Sequence, residues 1–106
     1  MTITINHGEP VSPFFLIAFP KREYPEPRGN DGKTTIQLKD EKNKKVINAA
    51  FFGSFDIPIE EFSTRTGLAR LAYGVEAPIL KEALLKKYPE LNKPGAIVEY
   101  WILKRI

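Results

Sequence analysis

The last eleven residues of the chain limit its fold more than any other feature. Across Ala96 to Ile106, Val98, Tyr100 and Ile102 alternate with Ile97, Trp101 and Leu103, so both sides of one extended segment carry large apolar groups. A half-buried strand would show polar residues at every second position. This one needs cover on both faces and neighbours along both edges, which places it inside a sheet. At 106 residues with 42% hydrophobic content there is material for one core, and the chain is read as a single domain spanning 1–106.

Other segments supply partners for that strand. Thr2 to Ile5 alternates polar and β-branched residues, as expected of a short strand with one buried face. Phe14 to Phe19 is an apolar run between Pro13 and Pro20, too short for a typical helix, and reads as a strand buried on both faces. Thr34 to Leu38 and Val46 to Phe52 form a predicted hairpin, with Gly53 marking a bend or bulge before Phe55 to Ile59. Pro58 suits the first turn of a short helix containing Glu60, Glu61 and Phe62. Thr66 would cap another short helix that stops near Gly74. Pro78 opens the main helix, whose stripe of Ile79, Leu80, Ala83, Leu84 and Tyr88 ends at Pro89. The expected class is α+β: a small, mixed, strongly curved sheet or barrel with one main helix in the C-terminal half and one or two short ones.

Charge is unevenly distributed. From Lys21 to Lys45 there are eight basic residues against five acidic ones, which is the whole net charge of +3. A segment of this kind attracts phosphate groups, and it also suits an ordinary solvated loop. Pro20, Pro25, Pro27, Gly29 and Gly32 make 20–32 the longest expected loop, a place for a binding edge or a plain surface connection.

The residue inventory excludes several chemistries. The chain has no cysteine and a single histidine, His7, so disulfides, thiol catalysis and thiolate zinc sites are ruled out. Gly32-Lys33-Thr34 ends like a phosphate loop, but Pro27 stands where the first glycine belongs. No cofactor is expected. With no basic leader and no long apolar run, a cytoplasmic protein without membrane contact is expected. Gly32-Lys33-Thr34-Thr35 places an ammonium and two hydroxyls at a strand entry, where they would bind an anion or act as base and nucleophile. The competing reading is a turn leading into a β-prone strand.

Taken in order, Gly32-Lys33-Thr34-Thr35, Ile57-Pro58-Ile59-Glu60-Glu61, Gly67-Leu68, Leu80-Lys81-Glu82-Ala83-Leu84 and Tyr88-Pro89-Glu90-Leu91 resemble the ASCH family, small PUA-like β-barrel domains associated with RNA. The likeness covers roughly residues 32–106. It departs from the family at Gln37 and Leu38, where an arginine is usual, and at Asn43-Lys44-Lys45, where a Gly-Asp turn is common. The resemblance implies a barrel cleft for a nucleotide or RNA base, with Lys33 and Thr35 at its rim, and with the basic segment beside it Lys33, Thr34, Arg28 and Lys39 are the expected ligand-binding residues. Some members hydrolyse an acetylated cytidine, and this would make Lys33, Thr35 and Glu76 catalytic. Three functions are thus expected in turn: an RNA- or nucleotide-binding module, a small amidohydrolase acting on an acylated nucleoside, and a non-catalytic interaction domain, with a homodimer as one form of the last.

Overall fold

Strand β4, Lys45–Pro58, runs for 14 residues, and a straight strand of that length would span about 45 Å. The longest dimension of the molecule is 35 Å. β4 must therefore bend, and it does so at a β-bulge between Phe51 and Gly53. In this computed structural model, which describes residues 1–5, 12–29, 31–41, 44–65 and 77–106, that bend organises the whole sheet.

The remaining elements are β1 (Thr2–Ile5), β2 (Phe14–Pro20), β3 (Thr35–Asp40), α1 (Ile59–Arg65), α2 (Ala77–Lys87), a 3-10 turn at Pro89–Leu91, and β5 (Ile97–Arg105). The five strands lie in the order β1-β3-β4-β5-β2. β1 and β3 pair in parallel and every other pair is antiparallel, so the sheet is mixed. Before the bulge β4 pairs with β3, from Lys45 to Ala50. Its second half pairs with β5 through to Pro58.

Alternation decides which side of each strand is buried. On β3, Ile36, Leu38 and Asp40 are buried while Thr35, Gln37 and Lys39 are exposed. Register carries this buried side across the sheet, from Ile3 on β1 through Leu38 and Ile47, and from Phe51 through Leu103 to Phe15. Trp101 lies at the centre, with no exposed surface. The rings of Phe19 and Phe51 meet it edge-on at 4.9 and 5.2 Å, and contacts of this kind add to the burial energy of three large rings. β5 therefore has a strand on each side and is buried on both faces at Val98 and Trp101, as its apolar alternation requires.

The expected α+β class holds. Among the described residues the hydrogen-bonded order ends at β1 on one side and β2 on the other, so the sheet is not closed into a barrel. Its two edges nevertheless come to one place. Ile3 and Ile5 of β1 and Leu16 and Ile17 of β2 line the same narrow cavity of about 20 Å³ with Phe62 of α1 and Leu84 of α2. Helices stand where strand pairing would have closed a barrel. The helix expected from Thr66 lies outside the described residues, as do His7 and Glu76.

α1 is tied to the entry of β5. The Gly95 N–H donates to the Glu60 carboxylate, which this contact holds below its ordinary pKa. Ile59 N–H also donates to the Ala96 carbonyl at 2.8 Å. A carboxylate with a lowered folded-state pKa stabilises the fold above its unfolded-state value, and that contribution is lost as pH falls through the folded-state value. Glu60→Gln should therefore lower stability near neutrality and leave stability at low pH little changed, which flattens the acid limb of a stability-versus-pH profile. Urea titrations between pH 3 and 7 check this, and an acid limb identical to wild type would contradict it.

Candidate functional site

Beyond Ala50, β4 has left β3 and keeps β5 on one side only. The proline-rich loop joining β2 to β3 runs along its other side. Loop and strand enclose two adjoining open clefts. One, of about 420 Å³, is lined by Lys21, Arg22 and Tyr24 from the loop and by Ser54, Asp56 and Glu99 from the sheet. The other, of about 470 Å³, lies over Phe51, Phe52 and Gly53 beneath Pro27 and Gly29. Glu26, Ser54 and Phe55 border both.

Glu99 forms the floor of the first cleft. It is 7% exposed, a carboxylate within a strand that is otherwise apolar up to Leu103. Its Oε2 accepts the Trp101 indole N–H at 2.6 Å and the Ser54 hydroxyl at 3.2 Å, and its Oε1 accepts the Arg22 backbone N–H at 3.1 Å. These donors compensate the carboxylate for lost water. Arg22 takes a left-handed backbone, φ 68°, an arrangement that costs a non-glycine residue about 1 kcal/mol and is offset here by the bond to Glu99.

Further contacts hold the loop at each end. Lys21 forms an ion pair with Asp56 on β4. Tyr24 meets Phe19 edge-on at 5.1 Å. Burial, with a hydrogen bond involving Tyr24, raises the Tyr88 phenol above its ordinary pKa, so Tyr88 meets the loop at Tyr24 as a neutral group. At the far end Gly32 N–H donates to Phe51 O at 3.1 Å. Gly32 has φ +81°, and a Cβ there would sit 2.5 Å from the Phe52 ring, so a side chain is excluded both by backbone and by space.

Exposed aromatic rings lie near the clefts, and Phe52 and Phe55 are among the lining residues. Phe55 is 50% exposed and stacks on Tyr100 at 5.4 Å with 23° between the planes. Phe14, equally exposed, meets Phe52 edge-on at 5.5 Å and carries the Lys104 ammonium 5.5 Å from its ring centre. These rings have solid backing and one open side.

The residues singled out by sequence do not gather. The Lys33 side chain is 86% exposed, 3.6 Å from Asp31, and lines neither cleft. The Asp31 carboxylate also accepts the Lys33 N–H, which makes Gly32-Lys33 a local turn. Thr34 donates its hydroxyl to the Arg28 carbonyl at 3.1 Å, and the Arg28 residue is exposed. Thr35 and Lys39 lie on the exposed side of β3. Among the described residues, Lys33 has a turn and Asp31 beside it and no enclosed hollow lined with Thr34 or Thr35, while Glu76, the expected carboxylate, lies outside them. Among the described residues no three acidic or histidine side chains gather as metal ligands would, and no helix is long and apolar enough to cross a membrane.

Ser54, Phe55 and Glu99 escaped the sequence reading. A signal was present for Glu99, since a carboxylate inside a strand buried on both faces has to be paired.

No protein family, curated protein or solved structure matches this chain.

Glu99→Ala should lower stability by about 2–4 kcal/mol, because the Trp101 N–H and Arg22 N–H lose a buried acceptor together. Glu99→Gln, which keeps one acceptor oxygen, should cost less. Urea unfolding orders the two, and an alanine variant as stable as wild type would contradict the role given to the carboxylate.

Proposed function

We propose that this chain is a module that binds single-stranded RNA or a nucleotide along the groove between the proline-rich loop and β4. One observation carries the reading: Phe55, whose ring is half exposed and backed by Tyr100, borders both clefts near Lys21 and Arg22 of the loop. Unpaired bases bind by stacking on such rings while cations follow the backbone. Lys21 and Arg22 stand on one lip, and Lys104 lies beside Phe14. The ASCH resemblance supports the same class of ligand, and a PUA-like arrangement is the family-level form of this proposal. The amidohydrolase alternative required Lys33 in a hollow, and no observation at Lys33 favours it.

The test is fluorescence anisotropy with labelled single-stranded RNA at rising salt. Affinity should fall as salt rises. Phe55→Ala should weaken binding by about tenfold, one stacked base contributing about 1–3 kcal/mol, with an unchanged melting temperature. Absence of binding at low salt would overturn the proposal.

A further inference from the structure

Resting on the nucleotide reading above, we infer that the cleft floored by Glu99 selects guanine. The reason is the chemistry facing the ligand. Glu99 accepts one donor on Oε1 and two on Oε2, so Oε1 keeps a second acceptor direction. Ser54 spends its proton on Glu99, which leaves its oxygen lone pairs as acceptors toward the cleft it lines. Glu26 adds a carboxylate to the wall, where Asp56 is already paired with Lys21. The floor is thus made of acceptors.

A floor of acceptors discriminates among bases by their edges. Guanine presents two adjacent donors, N1–H and the 2-amino group. Adenine and cytosine each present one amino donor beside a ring-nitrogen acceptor, and uracil presents one N–H between two carbonyl oxygens. Set against carboxylate and hydroxyl lone pairs, the last three each oppose acceptor to acceptor. The Arg22 guanidinium completes the site on the lip and suits the phosphate, beside the Lys21–Asp56 pair. At about 420 Å³ the cleft is of a size to take one nucleoside.

The test uses short single-stranded RNAs that differ in one central base within a uridine context, titrated into the full chain, with GMP and AMP as competitors. Wild type should prefer the guanine RNA by about tenfold, the usual order for one bidentate base contact, and GMP should compete better than AMP. Glu99→Gln places an amide donor in the floor and should abolish the preference while salt-sensitive binding persists. Ser54→Ala, a milder change, should reduce the preference several-fold, and it decides the matter if the Glu99 variant does not fold. Equal affinity for all four bases, a preference for another base, or full guanine preference in a folded variant would overturn this inference and leave RNA binding standing. No binding to any RNA at low salt would remove the nucleotide reading itself, and this one with it.

Discussion

The buried carboxylate of Glu99 is the point through which core, sheet and loop are joined. It receives donors from the central tryptophan, from the strand beyond the bulge and from the loop backbone. A carboxylate is costly to bury, and the three donors it receives make its place tolerable. Loss of any one weakens the hold on the others, since all share two oxygens. The open clefts on either side of Ser54 exist because the loop is held at this point and does not collapse onto β4.

The same site depends on the curvature of the sheet. A 14-residue strand in a molecule only 35 Å long has to turn away from one neighbour as it joins another. At the bulge β4 leaves β3 and gives its free edge to the loop, and local structure thereby creates the groove. Curvature also brings β1 and β2 to one cavity, where Phe62 and Leu84 fill the gap between them. Sheet edges left bare invite pairing with other chains, and both kinds of cover seen here, helix and proline-bearing loop, limit that.

Much of this architecture was legible in the residues. The apolar alternation of Val98 to Leu103 dictates an interior strand, Gly53 marks the bulge, and Pro78 and Pro89 bracket the main helix. Barrel closure was not legible, because it depends on whether two strands distant in sequence meet edge to edge, and period alone does not record that. The candidate site was legible only in its loop. Gly-Lys-Thr-Thr drew attention through composition, yet Asp31 turns the chain so that Lys33 meets solvent. Glu99 and Ser54 are 45 residues apart and become partners only through the β4–β5 register. Spacing along the chain carries no trace of that pairing.

Amide hydrogen exchange measures the central constraint directly. The chain has one tryptophan, so its indole N–H gives a single assignable resonance. If Glu99 joins core to loop, that proton and the Arg22 backbone amide should both be protected, Arg22 far more than the amides of Glu26 and Arg28 further along the loop. An Arg22 amide exchanging as fast as those two would mean that the loop is not held by the carboxylate, and the account of the groove would be wrong.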